Sequence, residues 1–270
     1  MKILYTKAHG ARNDFLLTWW ESLHVGVPDE AAAARAICDR HTGVGADGWM
    51  LLSLGTGEAH AAIDLWNSDG SRSEISGNGT RCAAALVVEA GRGGGLEVNG
   101  EVRIATGAGL KRLRLLERKG RWFRFEMNMG RAVVEDLHVE FEGRDAAILN
   151  VGNPQCAFFV KDFDFDWQAM GARMERHPRF PNRTNVSFVQ VVDAHTLSVR
   201  FFERGAGETM SSGTGSTGAA AAARARGLVQ SPLRVLTPAG PLDLRWEGED
   251  ILLAGPAEII SAGEFYYETT

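Results

Sequence analysis

The sequence predicts an α/β protein of two pseudo-symmetric domains, each a mixed, mostly antiparallel sheet wrapped around one central helix. Three observations predict it. Ser76-Gly77-Asn78-Gly79-Thr80-Arg81-Cys82-Ala83-Ala84-Ala85 lines up with Ser212-Gly213-Thr214-Gly215-Ser216-Thr217-Gly218-Ala219-Ala220-Ala221, 136 residues later in a chain of 270. Each copy opens an Ala-rich segment that is apolar on nearly every face, the pattern of a buried helix. Strand-like segments lead into both, and at the same offset Asn67 pairs with Glu203.

The elements follow in order. Ala31 to Cys38 reads as a helix, with Pro28 or Asp29 near its start. Ala62 to Trp66 is a short strand ending in the polar turn Asn67-Ser68-Asp69-Gly70. The first central helix runs from about Asn78 to Glu89 and is ended by Gly91-Arg92-Gly93-Gly94-Gly95. Strands continue to about Met127, with a hairpin turning near Lys119-Gly120. Leu197 to Phe202 alternates as a strand and leads into Glu203 and the second Gly-rich turn. The second central helix spans about Thr214 to Ala225, with Gly227 as its C-terminal cap. The first domain is expected over 1–128 and the second over 129–254.

Composition narrows the classes. A hydrophobic content of 44% with 23% charged residues describes a globular chain, and a net charge of -5 disfavours nucleic acid or an anionic membrane as partner. No stretch reaches the roughly 18 to 20 apolar residues that span a bilayer. The N-terminus offers no apolar signal core, and Cys38, Cys82 and Cys156 are too few and too scattered for a disulfide framework or C-x-x-C metal ligation. A cytoplasmic protein with no metal is the expectation. A homodimer is compatible with the chain, whose oligomeric state the sequence does not fix.

A serine and two glycines before each buried helix leave free backbone N–H groups at a positive dipole end. Two such starts facing one another suit a small anionic ligand in an interdomain cleft, with Ser76 and Ser212 on opposite sides of it. Taken singly, each serine is a favoured N-cap, each asparagine a common turn former, and Glu203 an ordinary acid or a partner of Arg204. The duplication shifts the reading towards a ligand site.

These residues carry a family resemblance. Lys7-Ala8-His9-Gly10-Ala11-Arg12-Asn13-Asp14-Phe15, Gly43-Val44-Gly45-Ala46-Asp47-Gly48, Asn67-Ser68-Asp69-Gly70-Ser71, Gly77-Asn78-Gly79-Thr80-Arg81-Cys82, Gly152-Asn153-Pro154, His177 to Val186, Glu203 to Thr209 and Gly213-Thr214-Gly215 look like the signature blocks of diaminopimelate epimerase, in that family's order. The resemblance implies a cofactor-independent enzyme that inverts one α-carbon of an amino-acid substrate, LL- to meso-diaminopimelate, for lysine and peptidoglycan synthesis. It implies that Asn13, Asn67, Asn153, Asn185, Glu203 and Arg204 hold the substrate. Gly77-Asn78 and Gly213-Thr214 would present helix N-termini to its carboxylate. It also implies that the final strand, about 255–270, returns to the first domain.

The departures fall on the chemistry. Ser76 and Ser212 occupy the positions of the family's two catalytic cysteines, Gln155 that of a histidine, and Gly48 that of a glutamine. A helix N-terminus and polar neighbours bring a thiol from about 8.5 to roughly 3.5 to 7.5. An alcohol starts near water's value of about 15.7 and stays protonated under the same pull, so serine needs a neighbouring base. Three readings stay open: an epimerase or racemase relaying the proton through serine by Glu203, Asp69 or water; an isomerase of another small carboxylic acid with one carboxylate as base; or an amino-acid-binding homologue without turnover. The catalytic candidates are Ser76, Ser212, Glu203 and Gln155.

Other motifs rank lower. Gly213 to Gly218 fits G-x-G-x-x-G but lacks the acidic residue about 20 positions on. The basic stretch Lys111 to Arg124 alternates with apolar residues, as the solvated face of a hairpin does. Cys82 and Cys156, as substitute thiols, read instead as core. His9 and His177 lie inside signature blocks without an implied acid/base role.

Overall fold

The computed structural model describes residues 1–23, 27–92 and 97–268. Gly93, Gly94 and Gly95, expected to help end the first central helix, lie outside the described residues. The chain divides into two compact units, Met1–Met127 with Gly255–Thr270, and Asn128–Ala254.

Unit 1 holds β1 (Lys2–Gly10), β2 (Asn13–Trp19), α1 (Glu30–Cys38), β3 (Gly48–Leu54), β4 (Ala61–Asn67), β5 (Arg72–Ser73), α2 (Gly77–Glu89), β6 (Glu101–Thr106), β7 (Gly109–Lys119) and most of β8 (Trp122–Asn128). β1 and β2 are antiparallel, β2 and β3 parallel, β3 and β4 antiparallel, β4 and β6 parallel, and β6, β7 and β8 antiparallel.

Unit 2 holds β9 (Val133–Phe141), β10 (Arg144–Asn150), β11 (Pro154–Phe159), α3 (Trp167–Glu175), β12 (Asn185–Asp193), β13 (Thr196–Glu203), β14 (Gly207–Thr209), α4 (Gly213–Ala225), β15 (Leu233–Thr237), β16 (Gly240–Glu247) and the start of β17 (Asp250–Tyr266). Its pairings repeat the same alternation: β10 with β11 antiparallel, β11 with β12 parallel, β12 with β13 antiparallel, β13 with β15 parallel, then β15 to β17 antiparallel. From Gly255 onwards β17 belongs to unit 1, where it pairs antiparallel with β1 from Lys2↔Tyr266 to His9↔Glu258.

This is the expected sheet-rich α/β fold of two repeated domains, and the repeat extends to backbone detail. α2 and α4 each have 13 residues and start one position before the expected boundary, because glycine follows the capping serine. Both are buried along nearly their whole length, so their alanines let the surrounding strands approach closely. Both end on a glycine with positive φ, Gly91 at 65° and Gly227 at 71°, whose N–H bonds back to Val88 and Arg224. Only glycine takes that left-handed cap without Cβ strain.

The sequence reading passed over α3. Its signals are an Asp166 side chain capping Ala169 N–H at 3.0 Å and buried Trp167, Met170 and Met174 at helical spacing. They are interrupted by the aromatic alternation of Phe163 and Phe165, which reads as strand. Those aromatics, with Phe158 and Phe188, pack against the core under α3.

Candidate active site

In unit 2 a tight hairpin brings Glu203 and Ser212 together. β13 ends at Glu203, whose register partner is Gly207 in β14. Gly205, at φ 79°, lets the chain reverse between them. The reversal brings Thr209 and then Ser212 back to Glu203: Thr209 Oγ1 donates to Glu203 Oε1 and Ser212 Oγ to Glu203 Oε2, each at 2.7 Å. Ser212 also caps α4, accepting from Gly215 N–H at 3.0 Å. Withdrawal of the Glu203 carboxyl from water pushes its pKa above the ordinary glutamate range, against the opposing pull of the Ser212 and Thr209 hydroxyls.

The turn itself is anchored from below. Asn185 Oδ1 accepts from Arg204 N–H at 3.1 Å, and the buried Glu175 accepts from Gly205 N–H at 2.9 Å. Burial opposes ionisation of Glu175, but Arg183, the Gly205 N–H and Arg176 hold its carboxyl below the usual range. Asn185 Nδ2 donates to Pro154 O at 3.0 Å, so both ends of this side chain are committed to backbone. Arg204 sends Nη1 to Asn182 O at 3.2 Å.

A second group in unit 2 gathers at the α4 start. Gln155 Nε2 donates to Asn153 Oδ1 at 2.6 Å, and Asn153 Nδ2 reaches Thr214 Oγ1 at 3.4 Å. Gln155 is 1% exposed and its Oε1 has no partner. Gly218 makes room for it, since a Cβ there would stand 3.0 Å from Gln155 Cγ.

Unit 1 repeats the helix start and replaces its surroundings. Ser76 caps α2, accepting from Gly79 N–H at 3.1 Å. Asn67 stands at the end of β4 where Glu203 ends β13, and its Nδ2 donates to Ser71 Oγ within its own turn at 2.9 Å. Ser73, matching Thr209, donates to Ile75 O at 3.4 Å. Among the described residues no carboxylate is hydrogen-bonded to Ser76.

What unit 1 has instead is a buried cation. Arg81 is fully buried on α2, where its repeat counterpart is the neutral Thr217. Its Nε donates to Pro256 O at 3.1 Å, its Nη2 to Asn78 Oδ1, and its Nη1 has no partner. Burial lowers its pKa to about 10, which leaves it charged at neutral pH. Asn78 Nδ2 continues the chain to Asn13 Oδ1 at 3.3 Å, and Asn13 Nδ2 passes it to Asp47 at 2.7 Å, which pairs with Arg40 at 2.8 Å. Asn13, Gly77 and Asn78 therefore gather with Ser76 at one helix start, while Asn67 is bonded to none of them.

The remaining candidates are structural. Burial pushes the Cys82 thiol up to about 12 and raises that of Cys156 as well, so neither supplies a thiolate. His177 packs edge-on against Phe141, and His9 lies 3.5 Å from Glu258. Arg112, Arg114 and Arg118 of the basic stretch pair with Glu101, Glu126 and Glu89. A cavity of about 280 Å³ in unit 2 is lined by Ala221, Arg224, Ala225 and Trp246, at the opposite end of α4 from Ser212. Among the described residues no group of three or more His, Cys, Asp or Glu side chains is placed to hold a metal ion, and no helix is long and apolar enough to cross a membrane.

Sequence reasoning missed Thr209, Glu175, Arg81 and Asp47 as parts of this machinery. For Thr209 a signal existed, since it matches Ser73 at the repeat offset. Asp47 and Arg81 stood inside signature blocks without an implied role, and Glu175 carries no local signature.

Two repeated α/β units, each delivering a strand end and a serine-capped buried helix, define the class of fold to which this chain belongs. Solved structures share it: a phenazine biosynthesis protein of the PhzF family from Bacillus anthracis superposes with a TM-score of 0.74 at 14% identity, over 98% of this chain and 99% of that one. A hydroxyproline epimerase from Agrobacterium vitis gives 0.71 at 14%, over 97% and 90%. The sequence model of the diaminopimelate epimerase family matches residues 5–135 and 147–260. The diaminopimelate epimerases of Pelotomaculum thermopropionicum and Aromatoleum aromaticum are each 37% identical over 283 residues, spanning 98% of this chain and 99% of theirs. The chain belongs to the diaminopimelate epimerase family.

Proposed function

We propose that this protein is a cofactor-independent isomerase that moves a proton at the α-carbon of an amino acid, with LL- to meso-diaminopimelate as its reaction, in the cytoplasmic route to lysine. The observation that carries this reading is the Ser212 hydroxyl bonded at 2.7 Å to Glu203 at the start of α4. It supplies the neighbouring base that serine requires.

The chemistry follows from these groups. By the family resemblance, the helix starts at Gly77-Asn78 and at Gly213-Thr214 are the donors for a substrate carboxylate. They stabilise the charge that builds there as the α-proton leaves. Ser212 takes that proton while its own passes to Glu203, whose raised pKa makes it a stronger base than an exposed glutamate. Gln155 has no proton to trade at neutral pH, and its part is to position Asn153 beside Thr214. Family membership over nearly the whole chain supports the substrate assignment.

A second reading is favoured by one specific observation. Among the described residues only unit 2 bonds a carboxylate to its capping serine, which suits an isomerase of another small carboxylic acid working from one base. The deciding experiment is α-proton exchange of LL-diaminopimelate in D2O, followed by NMR. Deuterium at an α-carbon with meso product is the expected result. A folded protein that binds the compound without exchanging it sinks the proposal and leaves the other acid or a silent binder.

A further inference from the structure

The two units share the capping serine, Ser76 and Ser212, but differ at matched positions around it. Glu203 stands against Asn67, Thr209 against Ser73, and Thr217 against Arg81. The backbone around them is the same: Ala206 N–H bonds to Glu203 O at 3.1 Å as Gly70 N–H bonds to Asn67 O at 2.9 Å, and Ser216 N–H to Ser212 O at 2.9 Å as Thr80 N–H to Ser76 O at 2.8 Å. One scaffold thus carries a carboxyl group in unit 2 and a buried cation in unit 1. The first is a base held by two hydroxyls. The second cannot accept a proton.

We propose that proton transfer in this protein is one-sided: Glu203 and Ser212 both remove the α-proton and return it, so hydrogen exchange at the α-carbon outruns inversion. The proposal rests on the isomerase reading above and specifies its mechanism. In the removal step the Cα–H bond breaks and its electron pair passes into the substrate carboxylate. The proton forms a new bond to Ser212 Oγ, and the Ser212 hydroxyl proton moves to Glu203 Oε2. Charge is conserved, since the Glu203 carboxylate becomes neutral as the substrate becomes a carbanion. Exchange of these protons with solvent, followed by reversal, leaves deuterium at Cα with retained configuration.

Inversion needs a proton delivered to the other face of the carbon, and the family resemblance, which puts Ser76 at the position of a catalytic cysteine, names it as the donor. Ser76 can give its hydroxyl proton, but it then holds an alkoxide that water must reprotonate. In the opposite direction it would have to begin as that alkoxide. With a parent value near water's ~15.7, the ionised fraction at neutral pH is on the order of 10⁻⁹. Even the roughly five-unit depression reached by the most acidic protein thiols leaves only about one Ser76 in ten thousand ionised. Arg81 favours a negative charge at the α2 start without supplying a base.

The test uses the full chain with LL- and meso-diaminopimelate separately in D2O, measuring deuterium incorporation and inversion in the same samples. With at least one isomer, exchange is expected to exceed inversion about tenfold or more. Glu203→Gln is expected to lower both by about 100-fold, as loss of a general base does. Ser76→Ala is expected to lower inversion at least about tenfold more than it lowers exchange. Exchange and inversion at equal rates with both isomers, or exchange that survives Glu203→Gln, overturns one-sided transfer and leaves the isomerase standing. No exchange and no inversion with either isomer overturns both. The wild-type ratio decides the matter even where a variant does not fold.

Discussion

Glu203 is withdrawn from water between the Thr209 and Ser212 hydroxyls, and its raised pKa has a thermodynamic signature. A carboxyl whose folded pKa lies above its unfolded value contributes stability below the unfolded pKa and loses it as pH rises through the folded one. Glu203→Gln lacks that loss while keeping an oxygen for the Ser212 and Thr209 hydroxyls. The variant is therefore expected to gain stability relative to the parent as pH rises from about 4 to neutrality, in paired thermal melts. A constant difference across that range would show that Glu203 is not raised. Arg81 makes the converse prediction. Removing an unpaired buried cation relieves its desolvation but strips donors from Pro256 O and Asn78 Oδ1, opposing effects of about 1 to 3 kcal/mol per group. Arg81→Met should thus change stability by less than about 2 kcal/mol and weaken diaminopimelate binding about tenfold, with Arg81→Lys recovering part of the affinity. Calorimetric titration checks it, and unchanged affinity in the Met variant would remove Arg81 from the binding machinery.

At the scale of elements, each helix start depends on a glycine that admits a neighbour. A Cβ on Gly215 would stand 2.7 Å from Phe201 Cδ1, and one on Gly10 would stand 2.9 Å from the backbone oxygen of Asn78. Phe201 is 1% exposed and cannot swing away, so Gly215→Ala should destabilise by about 1 to 3 kcal/mol. It should also weaken exchange by displacing Ser212 from Glu203; denaturant melts and the D2O assay read the two effects together. Gly10→Ala presses on backbone and is expected to disturb the α2 start at least as much. The legibility of these elements had a physical basis. α2 and α4 could be read because caps, small residues and a terminal glycine are local signals repeated twice. α3 could not, because its apolar stripe is short and adjoins aromatic residues with strand-like alternation.

For the whole molecule, β17 links the ends of the chain. Its residues from Gly255 complete unit 1 by pairing with β1. Truncation after Ala254 would leave β1 with an unpaired edge and Arg81 without its Pro256 acceptor. Unit 1 is then expected to lose hydrogen-exchange protection along β1 and α2 while unit 2 keeps its own. Equal protection in both units would show that the strand contributes little. Ser76, Ser212, Asn67 and Glu203 could be singled out from the repeat, which marks positions rather than contacts, whereas Asn13, Asn78 and Gln155 were named only by the family resemblance. The repeat announced the fold, since periodicity, turns and helix starts are properties of neighbouring residues, and the signature blocks carried the family resemblance. Only the tertiary structure decided that Ser212 is bonded to Glu203 while Ser76 has no such carboxylate among the described residues, that Asn185 and Glu175 hold the turn between β13 and β14, and that Arg81 is buried. Those outcomes depend on where the backbone returns after a hairpin or a long loop, and on which polar groups burial leaves to find one another.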